Sequence, residues 1–214
     1  NYVSLLGWSY DDTRQLFTRE ELEKLFTLDK LNKAPAVFNY KKLEWFNGVY
    51  IRERDTEKLK NELIPFLQKD GILSNPVTEE EEQKLRASIP LIKERLRFLT
   101  DASNLVKFLF KGVEPYTVEM LIPRKGNREE TRRSLEAMLT FMEEFFQKSD
   151  AENEEALRKL AETLGIKLGN LLMPLRVAIT GSQVSPPLLE SIRILGKEET
   201  QKRIRQSLQL LSAE

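Results

Sequence analysis

Leu175-Arg176-Val177-Ala178-Ile179-Thr180-Gly181-Ser182, followed by Ser185-Pro186-Pro187-Leu188 and Leu195-Gly196-Lys197-Glu198-Glu199, reads as an apolar helix end, a glycine turn and a proline-stiffened start to the next helix. One arginine stands among Leu175, Val177 and Ile179, where a plain helix bundle has no use for it. The arrangement suits the presentation of a cation and a flat apolar surface to an unstacked base. The helical period continues outward on both sides. Leu22, Leu25 and Phe26 recur at helical spacing behind Thr18-Arg19-Glu20-Glu21, a capping box. Asn39 can cap a helix that Asn47-Gly48 is expected to break. Thr56 opens a helix carrying Leu59, Leu63 and Phe66, closed by Gly71 as a left-handed cap.

The spacing predicts a long helix from about Thr78 to Leu99, opened by acids and kinked at Pro90, which removes a backbone donor. Asp101 starts the next helix. Residues 111–127 carry Gly112, Pro115, Pro123 and Gly126 and read as a linker. Five further helices are expected at Glu129–Phe146, Glu152–Leu164, Leu168–Thr180, Pro187–Leu195 and Glu198–Leu211. No alternating strand pattern lasts long enough to compete. The expected fold is all-α, with boundaries near residues 54 and 113: a helical stub over 1–54, then helical bundles over 55–112 and 113–214.

Composition excludes several kinds of chemistry. Histidine and cysteine are both absent, which removes serine–histidine–aspartate triads, thiol catalysis, cysteine zinc sites and disulfides. No pair of acids or lysines stands out as catalytic, and no run is apolar enough for a membrane helix. The 34 basic and 34 acidic residues balance, so any nucleic-acid contact must come from local segregation of charge. Glu79 to Glu82 form an acidic run, while Lys197, Lys202, Arg203 and Arg205 enrich the last helix in positive charge. Both could equally be ordinary solvated helix faces. The chain opens on Asn1 rather than methionine, which fits a processed terminus or, as expected here, a missing upstream part.

Three blocks, in order, resemble glutamyl-tRNA synthetases of bacterial type. They are Val37-Phe38-Asn39-Tyr40-Lys41-Lys42-Leu43-Glu44-Trp45-Phe46-Asn47-Gly48-Val49-Tyr50-Ile51-Arg52, then Ile92-Lys93-Glu94-Arg95-Leu96, then Leu175 to Glu199. The resemblance covers essentially the whole chain. It implies the end of a stem-contact domain (1–54) followed by anticodon-binding domain 1 (55–112) and domain 2 (113–214). The family's two ATP-binding signatures are missing, so ATP, Mg and catalysis would belong to an absent amino-terminal catalytic domain, and this fragment would hold no cofactor. The implied partners are glutamate tRNA and that catalytic domain. The implied setting is the cytoplasm, without a membrane, as a monomer.

The resemblance also assigns residues. The position of Arg95 reads the third anticodon base; that of Arg176 contacts the first two, with Ser185, Pro186 and Leu188 lining the same pocket. Lys42, Trp45 and Arg52 match positions near the inner corner of the tRNA. Each has a plainer alternative. Arg95 could form a surface ion pair with Glu94 or a nearby acid, Ser185 could be a helix N-cap, Leu188 could be core, and Trp45 packs in the core if it behaves as most helical tryptophans do. Two other classes stay open: a helical adaptor for another protein, and a free-standing relative that binds tRNA without catalysis.

Overall fold

The computed structural model describes residues 1–32 and 34–213. Eleven α-helices account for most of the described chain: α1 (Arg19–Leu25), α2 (Tyr40–Glu53), α3 (Thr56–Lys69), α4 (Glu79–Ile92), α5 (Ala102–Phe110), α6 (Val118–Leu121), α7 (Arg128–Phe145), α8 (Asp150–Thr163), α9 (Leu168–Thr180), α10 (Leu188–Leu195) and α11 (Lys197–Ser212). The extended backbone among the described residues amounts to an isolated bridge between Trp8 and Leu31. The fold is all-α.

Local chemistry sets most helix starts. Thr18 with Glu21, Thr78 with Glu81 and Ser149 with Glu152 form capping boxes, and Asn39, Asp55 and Asn127 accept amides of the first turn. Helix α3 opens at Thr56 as expected, with Asp55 as its cap. The acidic run that opens α4 is largely consumed locally. Glu81 closes the capping box, and Glu82 reaches across with Glu57 to the amine of Lys60, which is only 3% exposed.

Four expectations need correction. In the 1–54 stub, the described residues ahead of α2 hold one seven-residue helix and short 3-10 turns, so the stub is helical mainly through α2. Those leading residues fold around Trp8, which packs on Phe17 and Phe26, and around Tyr2, whose hydroxyl exchanges hydrogen bonds with the Asn39 backbone at 2.7 and 3.0 Å. Asn47-Gly48 does not break α2, which runs through both. The helix opened at Thr78 ends at Ile92 rather than Leu99, giving way to a 3-10 turn at Lys93–Arg95. Pro90 offers no amide to the Arg86 carbonyl one turn earlier, and the Asp101 carboxylate gathers the Arg97 and Phe98 amides at 2.9 and 2.8 Å into a new turn. The supposed linker at 111–127 is packed: it contains α6, buries Leu121 completely, and joins α11 through Tyr116 Oη and Ser207 Oγ at 2.7 Å.

The core follows the helical stripes. Leu59, Leu63 and Leu67 of α3 meet Leu85 and Ile89 of α4 and Ala102 and Val106 of α5, all without exposure. Leu135, Met138 and Phe145 of α7 meet Leu171 and Leu175 of α9 and Ile204 of α11 in the same way. Each such aliphatic or aromatic side chain contributes about 1.5–3 kcal/mol. Helix α10 touches α4, α5 and α11, so the apolar core runs on from one helix group into the other.

Gly181, which ends α9 at φ +72°, is the tightest point of this arrangement. A Cβ there would lie 2.8 Å from Val113 Cγ1 and 3.1 Å from the Glu114 carbonyl. Gly181→Ala therefore combines left-handed strain with overpacking, and urea unfolding should show a loss of about 2–4 kcal/mol.

Candidate nucleic-acid interface

Helix α2 does not break at Asn47-Gly48 because both residues serve docking. The Asn47 side-chain amide donates to the Arg97 carbonyl, and the absent Gly48 side chain lets the Leu96 carbonyl approach to 3.4 Å of where a Cβ would stand. The Lys93 amine donates to the Arg54 carbonyl at the end of α2. Residues 93–97 are thus held at several points against one face of α2, and Arg95 projects from that turn into solvent.

The result is a cleft of about 620 Å³ lined by Lys41, Trp45, Gly48 and Arg52 from α2 and by Glu94, Arg95 and Arg97 from the turn, with Glu44 on its wall. Glu94 lies 3.7 Å from Arg52 and Glu44 lies 3.4 Å from Arg97, while no carboxylate among the described residues pairs with Arg95. The alternative for Arg95, an ion pair with Glu94 or a nearby acid, is therefore not formed among the described residues. Trp45 is 47% exposed, with its ring edge-on to buried Phe46. It is not a core residue: the helical register gives Phe46 the interior and leaves the indole face free to stack. Lys42 is not among the cleft-lining residues; it sits at the start of α2, where its amide donates to Asn39.

Arg176 leaves the penultimate turn of α9 half-buried. Its Nη1 donates to Ser185 Oγ and, at 3.2 Å, to the Pro186 carbonyl. Both acceptors are neutral, and no carboxylate pairs with Arg176 among the described residues. Burial lowers the Arg176 pKa from the ordinary arginine value, and the positive charge of nearby Arg95 lowers it further. The two guanidiniums thus feel each other's charge, and neither has a carboxylate partner among the described residues. The structure brings Arg95, Arg176, Ser185 and Pro186 into one neighbourhood, and Trp45 and Arg52 share the adjoining cleft with Arg95. Leu188 is 5% exposed and part of the core. Ser185 does not cap α10, which begins after Pro187 without a side-chain cap.

The basic character read into the last helix is largely offset by pairing, although Lys202 and Arg205 stay exposed. Arg203 is buried, Lys197 pairs with Glu143 at 2.7 Å, and Lys202 pairs with Glu199 at 2.9 Å. Sequence reasoning missed Lys41, Glu44 and Arg97 in the cleft. The helical spacing of 41, 44, 45, 48 and 52 held the signal for the first two. Arg97 had none, because its place depends on a turn made by long-range contacts. Among the described residues no group of acidic side chains is arranged to hold a metal ion, and no helix is long and apolar enough to cross a membrane.

The docking of α2 on the turn has a direct check. Gly48→Val should cost about 1–3 kcal/mol in urea unfolding, because its Cβ would press on Arg52 Nη1 at 3.1 Å and its added methyls on the Leu96 carbonyl beyond it. Gly169→Ala, at a position with open space around it, should leave stability unchanged or raised by about 0.4–1 kcal/mol.

Comparison with known proteins places this geometry. Residues 58–208 match the family described as anticodon binding domain. The chain is 44% identical over 211 residues to the glutamate–tRNA ligase of Borreliella burgdorferi and 38% identical over 227 residues to that of Treponema denticola. These alignments cover 99% and 97% of this chain but 43% and 45% of the two relatives. The crystal structure of a glutamate tRNA ligase from Elizabethkingia meningosepticum superimposes with a TM-score of 0.73 at 28% identity, over 98% of this chain and 40% of that one. The chain thus spans less than half the length of the relatives it matches, and it belongs to the anticodon-binding domain family.

Proposed function

We propose that this chain is the tRNA-recognising part of a glutamate–tRNA ligase. The observation that carries the reading is the pair of guanidiniums without carboxylate partners, Arg95 and Arg176, set beside an exposed tryptophan and further cations. Anticodon bases lie in a single-stranded loop with their hydrogen-bonding edges free. An arginine fork bonds an acceptor-rich edge and stacks on a neighbouring base. Arg95 reads the third anticodon base. Arg176 reads the first two, with Ser185 and Pro186 shaping the pocket and Leu188 supporting it from the core.

Lys42, Trp45 and Arg52 contact the inner corner of the tRNA, the cations through phosphate or sugar and the indole by stacking. Residues 1–54 act as the end of a stem-contact unit, 55–112 as a first anticodon-binding unit and 113–214 as a second. ATP, Mg and glutamate activation belong to a catalytic domain outside this chain, which works as a monomer in the cytoplasm.

The test is binding of the chain to glutamate, glutamine and unrelated tRNAs at fixed salt. Arg176→Ala should weaken glutamate-tRNA binding by on the order of tenfold or more, and Arg95→Ala should relax preference toward the glutamine species by a similar factor. Arg52→Ala should instead weaken all tRNAs alike and reduce the salt slope by about 0.7. Equal weak binding of every RNA, unmoved by these changes, would overturn the reading and favour a helical adaptor for another protein.

A further inference from the structure

Arg203 plays no part in the reading above, yet it is a cation buried in the interior, 3% exposed. Its Nε donates to Glu199 Oε1 at 2.9 Å, and its Nη1 donates to the Ile179 carbonyl at 2.6 Å. That carbonyl belongs to the last turn of α9, where helix carbonyls lack amide partners and a positive charge is favoured. Three residues earlier stands Arg176, whose own carbonyl accepts from Thr180 Oγ1 at 2.8 Å. The same hydroxyl accepts the Ser182 amide at 3.3 Å, after Gly181 has turned the chain. The segment then runs to Ser185 and Pro186, which accept from the Arg176 guanidinium. One buried fork therefore fixes the helix end from which both walls of the Arg176 site depart. A lysine could not reproduce this, because a single ammonium on a flexible stem does not span Glu199 and the Ile179 carbonyl as the planar fork does.

We infer that Arg203 is a positioning residue for the anticodon pocket: it holds the last turn of α9 and the 181–186 segment so that Arg176 is presented in one orientation, and it touches no RNA itself. The inference rests on the assignment of Arg176 as an RNA contact.

A thermodynamic cycle on glutamate-tRNA binding tests it, using the wild-type chain, Arg203→Lys, Arg176→Ala and the double variant, with circular dichroism melting to establish that each is folded at the assay temperature. Arg203→Lys should weaken binding about tenfold in the wild-type background and far less once Arg176 is alanine. Its salt slope should match the wild type, because no phosphate contact is lost. Glu199→Gln keeps an acceptor for Arg203 while removing the charge. It serves if Arg203→Lys fails to fold, and it should show a smaller loss with the same dependence on Arg176. Loss of equal size in both backgrounds, or no loss in a folded variant, would overturn the role of Arg203. Wild-type binding by Arg176→Ala would instead overturn the assignment of Arg176, and this inference with it.

Discussion

The packing of α10 across α4, α5 and α11 is the constraint on which the site depends. Leu188 and Ile192 are buried in that contact, and α10 follows directly on the segment that holds Ser185 and Pro186. Together with the close contact of Gly181 on Val113 and Glu114, that packing ties the helix group bearing the Arg95 turn to the group bearing Arg176. Burial and the nearby charge of Arg95 together lower the Arg176 pKa. A half-buried guanidinium without a carboxylate partner, near a second positive charge, is a liability unless an acceptor-rich partner reaches it.

The neutrality of the chain conceals how unevenly its charges are used. Lys60 is closed between Glu57 and Glu82, Arg54 pairs with Glu62 at 3.1 Å, and Arg193 pairs with Asp150 at 2.7 Å. These pairs stitch helix to helix and leave little net field. Arg95 is left over from that pairing, and the cleft beside it carries Lys41 and an exposed indole. A neutral sequence can in this way present a local cationic and aromatic surface of the kind single-stranded nucleic acid favours. The acidic run at Glu79–Glu82 and the basic last helix, which look in the sequence like opposed patches, are mostly neutralised within the fold.

Helix α2 gives the same lesson in geometry. An asparagine followed by glycine favours a turn in an isolated peptide, because glycine adopts turn conformations without cost and asparagine competes for its own backbone. In the folded chain the Asn47 amide finds the Arg97 carbonyl and Gly48 finds the Leu96 carbonyl, both more than forty residues further along. The propensity was real, but tertiary contacts outweighed it. Trp45 likewise leaves the core place expected of it, because one residue of helical rotation gives the interior to Phe46.

The sequence by itself determined the all-α class, most helix starts through their capping residues, the left-handed end at Gly71, the glycine turn at Gly181, and Arg176 as an arginine needing an explanation, while Arg95 stood out only through the family resemblance. Those features are written in local spacing and in side chains that bond their own neighbours. Only the tertiary structure decided that Arg95 lacks an acidic partner, that Trp45 is exposed, that Arg203 is internal, and that the cleft draws on both α2 and a turn beyond α4. Each of these depends on contacts between residues far apart in sequence, and no local pattern encodes which carboxylate or carbonyl a given side chain will reach once the helices pack.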